Sequence, residues 1–400
     1  MQRPRWLVIG GIGIGQILAW GSSYYLIAVL AGPIAAATGW PLPWVVGGAS
    51  LGFLVSGLLS PRIGRLIEAE GGRRVLPGSA VLLALGLATL AAAPNLPVYF
   101  AGWLVIGAGM GAGLYDPAFA SLGRIYGEGA RGPITTVTLF GGFASTVCWP
   151  LWAWLTDAAG WRGACLAFAA IHLLLVLPLY RFVLPPAAGR AHARPRPAAG
   201  AAAGATRAGL AFVLVASSMT LAAVVMTMIA VHLLTLLQAR GVSLAAAVTL
   251  GALLGPSQVF ARLLELAVGR GLHPVWTMLA STLLVALGLV LLLVAPGFAA
   301  AAIVIYGTGS GIRSIVRGTV PLALFGPHGY ATLMGRLARP ALIAQAATPA
   351  LGGLLIARMG AQATMLLLVG AALLNILPAA LLIPWTNPRR AGVAASGPRP

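Results

Sequence analysis

The sequence predicts an all-α integral membrane protein: twelve transmembrane helices in two pseudo-symmetric six-helix bundles. Three observations predict it. First, 60% of the 400 residues are hydrophobic and only 8% are charged, too little polar surface to cover a soluble globule. Second, apolar runs of roughly 20 residues, the length that crosses a bilayer, recur twelve times. Third, the chain repeats itself. Arg65-Leu66-Ile67-Glu68 with Gly72-Arg73 returns as Arg262-Leu263-Leu264-Glu265 with Gly269-Arg270, a shift of 197 residues. Gly107, Gly109 and Gly111 return as Gly307, Gly309 and Gly311 (shift 200), and Pro150 as Pro349 (shift 199).

The runs fall at about 6–30, 44–63, 75–93, 98–121, 133–156, 162–184, 209–237, 244–264, 273–294, 298–321, 331–357 and 361–385. Backbone groups in lipid need partners within their own segment, so each run is expected to be a helix. Breakers separate them, as in Pro94-Asn95-Leu96-Pro97, Ala295-Pro296-Gly297 and Gly326-Pro327-His328-Gly329. The first run is too long for a cleavable leader and has no small-residue cleavage site, so it reads as span 1. Residues 1–184 form one expected bundle and 209–388 the other. Between them 185–208, rich in Pro, Ala, Gly and Arg, is expected to be a flexible linker, and 389–400 a disordered tail.

All 25 basic residues are Arg, against six acids. They concentrate in one set of loops that includes both termini and the linker, whereas the opposite loops hold Arg162, Arg240 and Arg358. By the positive-inside rule both termini are cytoplasmic, in a multi-pass protein of a bacterial-type inner membrane. The Arg residues form no basic face with interleaved aromatics, which excludes nucleic acid as a partner. Cys148 and Cys165 lie inside apolar runs and are expected to be reduced. No His/Cys/acid cluster has metal-ligand spacing, and His172, His192, His273 and His328 are scattered. No phosphate loop accompanies the glycine rows. The expected cofactors are none.

Twelve spans in two repeats, a mid-chain linker and a Gly/Arg/acid loop after spans 2 and 8 resemble the major facilitator superfamily. Its loop signature is Gly, three residues, an acid, a base, one residue, then Gly and two bases. Gly64 and Glu68 (in place of Asp) match it and Gly71-Gly72-Arg73-Arg74 supplies the end, while Ala69 stands where the base is expected. The resemblance covers essentially the whole chain and implies secondary transport by alternating access, with a central cavity between the bundles. Asp116-Pro117, Arg124-Ile125-Tyr126-Gly127, Arg131-Gly132 and Gly160-Trp161-Arg162 are similar to the monocarboxylate porter and oxalate/formate exchanger branch.

The candidate site residues are the polar ones within spans. Asp116 is the acid placed within a span, where an ionised carboxylate costs at least ~2.5–3.5 kcal/mol unless it has a partner or a cavity. It reads either as a proton carrier or as an ion-pair partner of Arg124 or Arg131. Arg313 and Arg317 share a face of span 10. Arg313 reads either as a planar fork for a substrate carboxylate or as a partner of Glu265. His232 in span 7 is a second proton-coupling candidate or a packing residue. Gln16, Trp20, Ser22, Ser23, Tyr24, Tyr25 and Gln258 form a polar-aromatic set, with Gln16, Tyr24, Tyr25 and Gln258 as substrate-binding candidates and interfacial anchoring as the alternative for the tyrosines. Arg65, Glu68, Arg73, Arg124, Arg131, Arg262, Glu265 and Arg317 are the expected cytoplasmic gate. The six glycines of the two rows are expected to allow close helix packing.

The function expected from this set is proton-linked or exchange transport of a small organic anion such as a monocarboxylate. An exporter of an amphipathic compound is the alternative. No nucleophile–base pair supports an enzyme, and no soluble output domain supports a sensor. The expected partners are a small-molecule substrate, the lipid bilayer and protons, and the chain is expected to act as a monomer.

Overall fold

The computed structural model describes residues 4–186 and 201–386. Among these residues the chain is helical throughout, with nine stretches long and apolar enough to cross a membrane. Two of the nine contain more than one span. Leu96–Val183 holds three, divided by the 3-10 turn Gly127–Ala130 and by Gly160 at φ 67°. Tyr330–Thr386 holds two, divided by Gly360 at φ 82°. With those divisions the spans number twelve. A side chain at these left-handed positions would be strained, and that is why glycine ends the helix there.

Boundaries differ from the expected ones in a consistent direction. Span 1, expected to end near residue 30, continues to Thr38 as Arg5–Ser22 and Leu26–Thr38, broken at Ser23–Tyr25. Span 2 runs Leu42–Glu70, so Arg65–Glu70 is helix and not loop. The fully buried Ile67 keeps that last turn on the bundle until Gly71, at φ 78°, stops it. Asn95 then caps span 4 by accepting from the Val98 N–H at 3.1 Å.

The glycine rows lie against neighbouring spans. A Cβ on Gly107 would lie 2.5 Å from the Gly52 carbonyl of span 2, and one on Gly311 equally close to the Gln258 carbonyl of span 8. Gly109 meets Leu83 of span 3, and Gly309 meets Val285 of span 9. These contacts also correct the repeat. Gly111 faces Ser56 and Gly311 faces Gln258, while Gly107 faces Gly52 and Val55 and Gly307 faces Leu254 and Ser257. Spans 2 and 8 therefore correspond at a shift of 202, not 197. By that shift Arg262 corresponds to Ser60, and Glu265 to Ile63, so the two Arg-Leu-aliphatic-Glu runs are five residues out of register. Five residues along a helix are about 7.5 Å. The sequence likeness there is not a structural equivalence, whereas the glycine rows are equivalent.

By backbone proximity the chain groups into Met1–Arg194 with Pro327–Ala350, and Pro195–Gly326 with Leu351–Pro400. The first part of span 11 thus packs with the first six spans. Gly64 and Gly335 allow it: a Cβ on Gly64 would meet the Ala331 carbonyl at 2.5 Å, and one on Gly335 would meet Pro61 Cα at 3.1 Å. Tyr330 lies against Gly123. Of the expected linker, 201–208 is helix continuous with span 7 (Ala201–Gln238), and 187–200 lies outside the described residues, as does the tail.

Candidate functional site

In the second unit the site centres on Arg313. It lies near the middle of Ala299–Phe325 and is 6% exposed, with Ile312, Ile315 and Val316 buried beside it. Neither of its Nη atoms has a hydrogen-bond partner among the described residues. The alternative pairing with Glu265 is therefore not formed. Glu265 Oε1 instead accepts from Thr277 Oγ1 at 3.5 Å, and its carboxylate lies over Gly269. Arg317 follows one turn later on the same face, half-buried.

Arg262, one of the residues expected at the gate, is buried, 7% exposed, against span 10. Its Nε donates to Ser314 Oγ at 2.9 Å and to the Gly311 carbonyl at 3.4 Å, the residues that bracket Arg313 in sequence. Its Nη1 has no partner among the described residues. The sequence reading missed this placement because it took the Arg-Leu-aliphatic-Glu register at face value. The buried Ser218 hydroxyl of span 7, also without a partner among the described residues, was missed too, since a lone serine on an apolar helix carries no pattern. Gln258 is half-buried, its backbone pressed on Gly311. His232 is half-buried with its ring over Gly352, where a Cβ would lie 2.7 Å from Nε2.

In the first unit the polar-aromatic set assembles around a break in span 4. Leu96–Gly113 ends at Leu114 (ψ −161°), and a new helix, Tyr115–Tyr126, begins. Gln16 bridges this break: its Nε2 donates to the Gly113 carbonyl at 2.6 Å, and its Oε1 accepts from Trp20 Nε1 at 3.2 Å. Its amide is thus committed to the protein, not turned to open space. The break places Asp116, 8% exposed, in the first turn of the new helix, where the helix dipole favours an anion. A chain of rings starts at its neighbour Tyr115. Trp20 lies 5.3 Å from Tyr24 and 4.8 Å from Tyr115, Tyr24 lies 4.9 Å from Tyr25, and Tyr25 lies 5.8 Å from Trp149. Tyr24 and Tyr25 are half-buried within this cluster. Sequence reasoning also missed a fully buried pair, Ser22 Oγ and His172 Nε2 at 2.6 Å. It joins the break in span 1 to a π-turn, His172–Val176, in span 6.

The residues expected at the gate in the first unit bond to backbone more than to opposite charges among the described residues. Glu68 Oε2 accepts from the Ala331 N–H at 3.1 Å, capping the start of span 11, while the Glu68 carbonyl accepts from Arg124 Nη1. Ser60 Oγ donates to the Gly335 carbonyl at 3.0 Å. Arg74 pairs with Glu70 at 2.7 Å, and Arg65 and Arg73 are exposed. Arg131 is half-buried, its carbonyl accepting from Thr135 Oγ1.

Residues 12–273 match the family described as the Major Facilitator Superfamily. A stretch of 178 residues is 32% identical to an uncharacterized 38 kDa protein in the 23S RNA operon of Thermoproteus tenax, covering 44% of this chain and 46% of that protein. Three solved structures superpose over nearly the whole chain. The human organic anion transporter MFSD10 (TETRAN) does so with TM-score 0.71 at 17% identity, over 94% of this chain and 100% of that one. The E. coli fucose:proton symporter FucP gives 0.72 at 13%, over 94% and 99%. The proton:xylose symporter XylE gives 0.69 at 14%, over 95% and 96%. At these identities the likeness is one of fold.

Proposed function

The chain belongs to the Major Facilitator Superfamily, and from that premise we propose that it is a secondary active transporter binding a small organic anion, such as a monocarboxylate, at Arg313. The observation that carries this reading is the buried guanidinium whose two Nη atoms have no partner among the described residues. A buried unsatisfied donor costs about 1–3 kcal/mol, more when charged. A carboxylate supplies two acceptors in the plane of the fork and a compensating charge. Arg317, one turn away, adds to the positive potential and makes a cation an unfavourable ligand there. Among proteins of this fold, MFSD10 is described as an organic anion transporter, and FucP and XylE as proton symporters. Asp116 and His232 are the proposed proton carriers, and the arginine distribution supports cytoplasmic termini.

The ring chain Trp20, Tyr24, Tyr25, Trp149 favours a second reading, an exporter of an amphipathic compound. A thermal-shift screen of the purified protein against carboxylates and hydrophobic cations separates the two. A ligand at a hundred times its Kd stabilises by about 2.7 kcal/mol. Stabilisation by carboxylates that disappears in Arg313→Gln supports the anion site. Stabilisation by hydrophobic cations alone overturns it and leaves the exporter.

A further inference from the structure

At the arginine-rich ends of spans 2, 3 and 6 the first unit holds a cavity of about 560 Å³. Glu70, Arg73, Arg74 and Arg181 form its polar wall, and Val81 and Leu177 belong to its apolar one. Arg74 is neutralised by Glu70 at 2.7 Å. Arg73 and Arg181 are exposed and make no hydrogen bond or ion pair among the described residues, so two guanidinium groups face the cavity uncompensated. Span 3 adds its positive end, because Gly72–Ala92 starts there with no acid in its first turn.

The apolar wall continues along the outside of the protein. Leu85, one turn beyond Val81, is 54% exposed, and Leu174, three residues before Leu177, is 79% exposed. In a membrane protein such surface faces acyl chains. A soluble phosphate would use the arginines and leave this wall idle, whereas a lipid uses both. We propose that the cavity binds an anionic phospholipid, its phosphate held between Arg73 and Arg181 and an acyl chain lying along Val81, Leu85, Leu174 and Leu177. Phosphate is matched by the guanidinium fork, and basic pockets between spans at this end of a bundle favour lipids of net negative charge. This inference is independent of the substrate assigned to Arg313.

Native mass spectrometry of the full-length protein, delipidated and titrated with phosphatidylglycerol or phosphatidylcholine, tests it. Phosphatidylglycerol should bind first, and Arg73→Gln with Arg181→Gln should weaken it about 30-fold, the share of two arginines at an anionic surface. Arg62→Gln, an exposed arginine outside the cavity, should leave binding unchanged. Equal retention of the two lipids would overturn the proposal, as would a double variant that binds like the parent. Displacement of phosphatidylglycerol by millimolar inorganic phosphate would reassign the site to a soluble anion. An unchanged circular dichroism spectrum and gel-filtration profile of the double variant show that loss of lipid is not loss of fold.

Discussion

Arg162 and Arg240 hold equivalent helix ends from non-equivalent loops. Arg162, two residues past the Gly160 kink, donates to the Ala93 carbonyl at the end of span 3 at 3.0 Å. The repeat position of Arg162 is Gln362, two residues past the Gly360 kink, and it has no charge. The end of span 9 is instead held by Arg240, from the loop after span 7, which donates to the Leu292 and Leu293 carbonyls and to Gln362 Oε1 at 3.4 Å. Last-turn carbonyls lack partners within the helix, and a cation there also meets the negative end of the dipole.

This exchange of roles makes a stability prediction. Arg240→Ala should cost about 1–2 kcal/mol, below the ~1.5–3 kcal/mol of a fully buried charged hydrogen bond because the group is partly exposed. Arg162→Ala, losing one carbonyl contact and a stacking contact 4.2 Å from the Trp161 ring centre at an exposed side chain, should cost less. Adding Gln362→Arg to Arg240→Ala should recover part of the loss, because it restores the arrangement of the first repeat. Thermal melts in one detergent rank the variants, and an unrescued double variant would show that the two ends are not equivalent.

Glu68 offers a second test, of cap against charge. Its carboxylate accepts from the Ala331 N–H at 3.1 Å, and its backbone, not its side chain, receives Arg124. Glu68→Gln keeps an acceptor oxygen and should cost a few tenths of a kcal/mol. Glu68→Ala removes the cap and should cost about 1 kcal/mol. Equal losses in melts of the two variants would mean that charge, not capping, is what Glu68 supplies.

The approach of spans 2 and 11 gives a third. A methyl on Gly64 cannot fit 2.5 Å from the Ala331 carbonyl without moving one helix. Ser60, 4% exposed beneath this contact, reports on it as Ser60→Cys. Maleimide labelling of that cysteine should quicken at least severalfold in Gly64→Ala. It should not change in Gly10→Ala, where a Cβ meets nothing within 4 Å. The native Cys148 and Cys165 are buried and should stay unlabelled.

The spans, their number and the glycine rows were legible because each is a local consequence of composition: apolar length makes a helix, and glycine marks a close approach. The register of spans 2 and 8 was not. Arg262 looked like Arg65, but helix contacts, not identities, set equivalence, and Gly311 against Gln258, as Gly111 against Ser56, makes Arg262 the counterpart of Ser60. The role of Gln16 was equally hidden. Its partner is a backbone carbonyl at Gly113, and nothing in the sequence marks the break that frees that carbonyl. Ser22 and His172 lie 150 residues apart, and single polar residues in two apolar runs have no periodicity to connect them. Arg313 was legible as a charge in a span, yet only the structure separates it from Glu265.

That separation sharpens the last prediction. With both Nη atoms of Arg313 lacking a partner among the described residues, and Glu265 bound by Thr277, the two are independent groups. Glu265→Gln should therefore leave anion affinity within about twofold, a change under ~0.4 kcal/mol. Arg313→Lys keeps the charge but loses the bidentate fork. Loss of one charge-assisted hydrogen bond, ~1.5–3 kcal/mol, should weaken carboxylate binding about 10- to 150-fold. Arg313→Gln should abolish it while raising thermal stability of the ligand-free protein, because a neutral amide is cheaper to bury than an unpaired guanidinium. The joint outcome discriminates: a residue that merely packs would lose stability on substitution and leave affinity alone. Carboxylate binding that survives Arg313→Gln unchanged, measured by calorimetry on the purified protein, would remove Arg313 from the substrate site.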